Sequence, residues 1–471
     1  MITGIRTLRG RTLRNRTLRD RTLRGRRAVP VAAAALLTLA ACGGGGSAPP
    51  DPARSLGPTA RSATTGVDDA TGSKASSQCA AAVRTLRLYT IENLENVARS
   101  GKAAMEKAHP GLTVELVTSA TSYAGLAQQL STDSAAGQRA DVAVAGLDLL
   151  PEFAGRLGAQ ELSPRLLRAS YDQRLVGLGQ IGGRQIGIPQ QVSTLALVYN
   201  LDVLEKAGVD PGSLTTTAGV LAAAEKIATS GQDVQPIDIP TGQQFGQWVL
   251  NTLASSKGAP IQGDDGRPRL DTPQAREAAQ FLAKAATYGP QSTDPTNQGL
   301  LRFGYRKETA MTVMTVESLA GGLKFIQDQG ARGFRAGAVP FPTLPAGRQA
   351  PVARGNALTV LATDRCQREM ATELVVSLLA PDVVAASTES LSYLPVDSDA
   401  LARLAPFYRQ YPQLAAFNEL APSLVAPPSW AGARGPELPQ AINNQVVRIM
   451  GGADIDQTLA AAQAEAESFN Q

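Results

Sequence analysis

The chain has one histidine and three cysteines in 471 residues, and aromatic side chains make up only 4 % of it. A single imidazole excludes a zinc cluster that draws on several. That residue, His109, stands in Ala108-His109-Pro110-Gly111, the punctuation of a helix end. A triad base is not expected there, so metal-assisted and Ser-His-Asp hydrolysis are poorly supported. A basic folded surface is missing too. The formal net charge is +4, but residues 1–41 hold ten arginines and one aspartate; without them 35 basic residues face 40 acidic ones. Nucleic-acid binding needs a basic footprint on the folded domain, and none is left.

What is present begins with RTLRGRTLRNRTLRDRTLRG (6–25), a repeated basic pentapeptide closed by Arg26-Arg27. The uncharged, mostly apolar stretch Ala28–Ala41 follows, with 14 residues. A bilayer-spanning helix needs about 20, whereas a basic region, a short apolar region and small residues make a secretory signal. Leu39-Ala40-Ala41-Cys42 resembles a bacterial lipobox, which implies a diacylglyceryl group on Cys42 and cleavage just before it. Residues 1–41 are therefore expected to be a lipoprotein signal peptide and 42–80 a flexible tether, since 47–77 carry hardly a large apolar residue. Cys79 and Cys366 then remain, either as a disulfide suited to an exported protein or as two separate thiols.

The mature part, about 430 residues, allows two core-forming units. RTLRLYT (84–90), LTVELVT (112–118) and ADVAVAG (140–146) read as strands, and 93–108 and 122–136 as helices between them. Strands alternating with helices imply a sheet with crossover connections. Further strands are expected at 193–200, 309–315 and 356–363. Helices are expected at 201–208, 216–229, 243–256, 273–286, 318–329, 366–380, 436–450 and 455–469. Gly177-Leu178-Gly179-Gln180-Ile181-Gly182 matches a dinucleotide fingerprint, but no helix opens on it; Gly182-Gly183 reads as a hairpin turn instead. Asp264-Asp265 reads as an exposed turn rather than a cation site.

Four blocks, VSTLALVYNLDVLEKAGVDP (192–211), AMTVMTVESLAGGL (310–323), RGNALTVLA (354–362) and SLSYLPV (390–396), together resemble the extracellular solute-binding proteins of ABC importers, in the branch that includes maltose-binding protein. The resemblance covers roughly 84–471. It implies an α/β, two-lobed periplasmic-binding-protein-like fold with hinge strands between the lobes and a helical C-terminal part. The expected lobes are 81–191 plus 310–349 and 192–309 plus 350–471. It also implies a lipid-anchored monomer on the extracellular face of the cell membrane that delivers a small solute to ABC permease subunits, with no catalytic residues, cofactor or metal. Within the branch, the glycerol-3-phosphate and glycerophosphodiester binders are nearest. Their ligand motifs fall on Tyr123, Ser193, Ser318, Gly355, Tyr393 and Arg434, the last a fork suited to phosphate. The family's acidic ligand falls on Gly146 or Leu147, with Asp148 close by. Its tryptophan falls near Gln243, leaving Phe245 or Trp248 as substitutes, and Trp248 and Trp430 are candidate stacking faces for a saccharide. Phosphodiester and sugar thus stand side by side. A sensor or adhesin on the same fold is the competing reading; a glycoside hydrolase would need two carboxylates facing across the cleft.

Overall fold

The computed structural model describes residues 74–290, 299–430, 432 and 434–469. The expected signal peptide, Cys42 and the tether as far as residue 73 lie outside the described residues. The tether was expected to reach residue 80, but Ser77–Ala82 is a helix, because the Ser76 hydroxyl accepts the Cys79 N–H at its start. This short helix is strapped to the helix Arg365–Leu378. A disulfide joins Cys79 to Cys366, with Cα atoms 4.7 Å apart across 287 residues of sequence. The Ala75 N–H donates to Glu373 at 2.8 Å, and the Ser76 N–H and hydroxyl donate to Glu369 at 3.1 and 2.8 Å.

The fold is α/β, with two lobes, each built on its own sheet. The first sheet has the order β2 (Thr113–Ala120), β1 (Thr85–Ile91), β3 (Val142–Gly146), β11 (Arg354–Val360) and β6 (Ile188–Ser193). β1 runs parallel to β2 and β3, and β11 antiparallel to β3 and β6. Leu86 and Leu88 are fully buried while Arg87 between them pairs with Glu115, the period of two expected of a strand. The helix Glu95–Ala108 buries Val97, Ala98, Gly101 and Met105, spacings of three and four that make one stripe. At Gly101 an added Cβ would lie 2.3 Å from Leu378, so this helix and Arg365–Leu378 touch backbone to side chain.

The second sheet has the order β10 (Ala336–Pro340), β7 (Leu195–Asn200), β9 (Thr309–Thr315) and β8 (Gln235–Asp238). β7 shows why it sits between two cores: Leu195 and Leu197 enter the second-lobe core, Ala196 and Val198 the first. The C-terminal helices Leu438–Met450 and Ile455–Phe469 pack with Phe245–Ser256 and Pro273–Ala286 on the second core. β4 (Gln180–Ile181) and β5 (Arg184–Gln185) form the hairpin around Gly182-Gly183, both at positive φ, in place of a nucleotide loop. Asp264-Asp265 lies in the exposed turn spanned by the Gln262–Pro268 bridge.

The segments divide between the lobes differently from the expected boundaries. β9 and β10, within the 310–349 expected in the first lobe, belong to the second sheet. β11 opens the stretch expected in the second lobe, yet pairs with β3 and β6 in the first sheet. The helices that follow it, through Pro412–Asn418, accordingly bury their apolar faces in the first core. Local pattern marks β1, β2, β3, β7, β9 and β11 but not β6, β8 and β10, and the partner of a strand is decided by long-range register.

The crossings between the sheets meet at Thr194, which is fully buried. Its hydroxyl donates to the Val352 carbonyl at 3.2 Å, just before β11, and its carbonyl accepts the Val316 N–H at 2.9 Å, just after β9. Three crossings are thus tied through one residue.

Asp141, at the end of the first sheet away from these crossings, accepts from the Arg87 N–H at 2.8 Å and Gln367 Nε2 at 3.2 Å. Burial nevertheless pushes its carboxyl up to about 6. The folded state therefore holds this proton more tightly than the unfolded chain, so stability present below about pH 4 is lost as pH rises through 6. Asp141→Asn is expected to remove that loss, with the variant's stability relative to wild type rising by about 2 kcal/mol from pH 4 to pH 7. Melting curves across this range check it; a constant difference would refute it.

Candidate functional site

Where the lobes meet, polar side chains from both converge, although neither lobe core is polar. Gly146 ends β3, and the chain turns into Leu147–Leu149. A Cβ at Gly146 would lie 2.8 Å from Asp148 Oδ1 and 3.2 Å from the Tyr123 side chain, so this glycine leaves room for those two groups to come together. Leu147 is buried in the core, which leaves Asp148 as the acidic residue of this turn that reaches the cluster. Tyr123 opens the helix Tyr123–Ala135, capped by Ser122. Its hydroxyl accepts from Asn356 Nδ2 at 2.9 Å and interacts with the hydroxyl of Tyr393. Asn356 also donates to Gln191 Oε1 at 2.6 Å, and Gln191 donates to Ser387. A hydrogen-bonded chain therefore runs from β6 through β11 to both tyrosines. Burial pushes the hydroxyls of Tyr123 and Tyr393 up, which keeps them as neutral donors.

Ser193 and Ser318 are occupied at the start of the helix Val316–Asp328. Ser193 Oγ donates to the Glu317 carboxylate and accepts the Glu317 N–H at 3.3 Å, while Ser318 Oγ turns back to the Thr315 carbonyl at 2.9 Å. Ser392 Oγ takes the Ala320 N–H at 2.9 Å. Of these hydroxyls, that of Ser193 takes a first-turn N–H that has no partner within the helix. Glu317 thereby enters the cluster, its carboxyl raised by burial against the pull of Ser193, Thr315 and Arg354.

Gly355 has φ +131°, and a Cβ there would lie 2.0 Å from the Gln191 carbonyl oxygen. The glycine is required by the β6–β11 approach, where the pairing slips by one residue between Asn356 and Ala357.

The aromatic residues expected to meet a sugar face do not offer one freely. Phe245 and Trp248 are buried in the second lobe, edge to face at 5.7 Å. Trp248 Nε1 donates to the Val352 carbonyl at 2.9 Å, and the guanidinium of Arg354 lies over its ring at 4.8 Å. Trp430 is buried in the second-lobe core. Arg434 is not brought to the cluster either: its exposed side chain pairs with Glu437 at 3.1 Å and lies over Phe469 at 3.9 Å.

Arg354 is the cation that does belong to the cluster, and sequence reasoning passed over it. Its Nη2 lies 3.3 Å from Gln247 Oε1 and 3.5 Å from Gln244 Oε1. Burial lowers its pKa, opposed by the charges of Asp148 and Glu317. Arg354, Glu317, Asn356, Gln191, Gln244 and Gln247 were all missed. For Arg354, Asn356 and Glu317 the available signal was the position beside Gly355 or Ser318, and for Gln191 the two glutamines in the otherwise apolar run Ile188–Val192; nothing local marked Gln244 and Gln247. The arrangement sets hydrogen-bond donors and acceptors side by side. Among the described residues no group of three or more His, Cys, Asp or Glu could hold a metal ion.

Residues 93–385 match the family model described as bacterial extracellular solute-binding protein. A putative binding protein of Brucella abortus (strain 2308) is 24 % identical over 384 residues, spanning 78 % of this chain and 88 % of its own length. Among solved structures, the sugar-binding protein MalE of Xanthomonas citri superposes with a TM-score of 0.71 at 20 % identity, covering 82 % of this chain and 97 % of its own. The cyclic α-maltosyl-1,6-maltose binding protein of Arthrobacter globiformis gives 0.68 at 18 % (82 % and 99 %). UgpB of Mycobacterium tuberculosis, in complex with glycerophosphocholine, gives 0.66 at 18 % (82 % and 98 %). Such identities speak for the shared two-lobed fold, and the proteins that carry it here bind solutes rather than transform them. With the model spanning more than half of the sequence, this chain belongs to the bacterial extracellular solute-binding protein family.

Proposed function

We propose that the protein is a lipid-anchored extracellular solute-binding protein that takes a hydroxyl-rich solute, a saccharide or a glycerol-phosphate compound, into the cleft between its lobes and delivers it to an ABC importer. The observation that carries this is the polar chain Gln191–Asn356–Tyr123–Tyr393, joined by Asp148, Glu317 and Arg354, between two apolar cores. Asn356 Oδ1 and Gln247 Nε2 are buried there without a partner; such groups are costly unless paired, and a solute with many hydroxyls would pair them. Solved structures with this fold bind both chemistries, maltose-type sugars and glycerophosphocholine. The knot at Thr194 makes a compact hinge, and lobe closure is a recurrent domain motion around ligands. A permease that favours the closed form would distinguish loaded from empty protein by that difference alone. The proposed diacylglyceryl group on Cys42 would supply the two chains that stable anchoring takes.

A panel of sugars, glycerol-3-phosphate and glycerophosphodiesters tests the reading by thermal shift and small-angle scattering. A true solute at a hundred times its dissociation constant adds about 2.7 kcal/mol of stability, and scattering should show a smaller radius as the lobes close. Asn356→Ala should weaken that solute at least tenfold. A panel without any stabilising member, or a binder that leaves the radius unchanged, counts against it.

A further inference from the structure

The phosphate-binding fork expected at Arg434 is on the surface, yet a second arginine stands inside the cluster with no described carboxylate at ion-pair distance. We propose that Arg354 and Gln247, with the first turn of the helix Phe245–Ser256, form a subsite for the oxyanion of an acidic polyol, a phosphate or a carboxylate; this rests on the solute-binding reading above.

Three observations carry it. The guanidinium is under-coordinated: its described partners are two amide oxygens at 3.3 and 3.5 Å, long beside the 2.7–2.9 Å of charge-assisted bonds. Asp148 and Glu317 act on it through space, and no described carboxylate is in ion-pair contact with it. Gln247 is 1 % exposed and its Nε2 has no hydrogen-bond partner, while its Oε1 lies against Arg354. That is a buried donor left without an acceptor beside a cation. The third is rigidity. Trp248 is pinned by its Nε1 bond to Val352 and carries the guanidinium on its ring face, so the fork is set before any ligand arrives. Gln244, at the start of the same helix, holds a left-handed backbone with φ 65°. Non-glycine residues adopt that conformation at a cost, and such residues cluster at ligand sites. The helix start adds partial positive charge towards an anion.

The division of labour is then chemical. The oxyanion sits on Arg354 and Gln247, and the hydroxyls of the polyol meet Asp148, Asn356 and Tyr123. Phosphate and carboxylate both fit a planar fork, and the test separates them.

Titration calorimetry on the purified full-length protein would compare glycerol-3-phosphate and a glycerophosphodiester, glucuronate, and the neutral partners glycerol, glucose and maltose. At least one acid should bind while its neutral partner does not; response to the phosphates or to glucuronate tells which oxyanion is read. Arg354→Gln should weaken that acid at least tenfold, Arg354→Lys less, and Arg434→Ala should leave it unchanged. Melting without ligand shows whether each variant is folded; should Arg354→Gln fail, Gln247→Leu is expected to give a similar selective loss. Binding of neutral saccharides alone, or sensitivity at Arg434 instead of Arg354, overturns the subsite and leaves the solute-binding reading standing. No response to any member of the panel overturns both.

Discussion

Replacing Cys79 and Cys366 together by serine is expected to lower stability by about 3–5 kcal/mol. A cross-link stabilises mainly by restricting the unfolded chain, and more so for a longer loop. The loop here spans 287 residues, so the effect belongs at the upper end of the usual range. With about 400 folded residues the melting entropy is large, and the same free energy moves Tm by only roughly 5 °C. Calorimetry of the double variant beside wild type with and without reductant is the measurement. The Ala75 and Ser76 bonds to Glu373 and Glu369 remain in the variant, so the strap should loosen rather than vanish, seen as faster proteolysis around residues 74–82. An unchanged Tm would mean that the unfolded reference state keeps its ends together without the bond.

Arg302→Met is expected to cost about 3–5 kcal/mol at neutral pH, through a different cause. Arg302 Nε donates to Asp238 Oδ2 at 2.8 Å, with the residues 8 % and 3 % exposed. Removing one partner of such a pair leaves the other charged and buried, which is what makes the loss large. Burial already raises the Asp238 carboxyl, and Arg302 opposes that rise. Without the arginine the carboxyl rises further. The folded variant then holds its proton more tightly than the unfolded chain does, so the variant recovers stability as pH falls from 7.5 towards 5. The gap to wild type should narrow over that window. Adding Asp238→Asn to the variant should recover part of the loss at pH 7, because no charge is left to bury. A gap independent of pH would assign the loss to packing instead.

Much of the local structure was legible from the sequence because its causes are local. Thr272 before Pro273 caps the helix Pro273–Ala286 through the Ala275 N–H, and the helix is found where the pattern placed it. The same holds for β9. The lobe boundaries were not legible, since nothing within Arg354–Val360 says that it will pair with β3 and β6 rather than with β9. The candidate cluster was legible in its neighbourhoods. Tyr123, Asp148 and Tyr393 do come together. Ser193 and Ser318 lie beside them but are engaged in holding a helix start, and Gly355 serves a close strand contact. Arg354 was hidden because a charged residue at the end of an apolar strand usually points to water. Its stacking on Trp248, more than a hundred positions earlier, is a tertiary fact.

The strap at the N-terminal end has a mechanical meaning as well. Cys79 precedes β1 and is covalently fixed to the helix Arg365–Leu378, whose other face lies on Glu95–Ala108. A pull on the chain ahead of Lys74 therefore enters the fold at that helix as well as through the chain leading to β1, so the load is shared between two elements of the first lobe rather than borne by one strand.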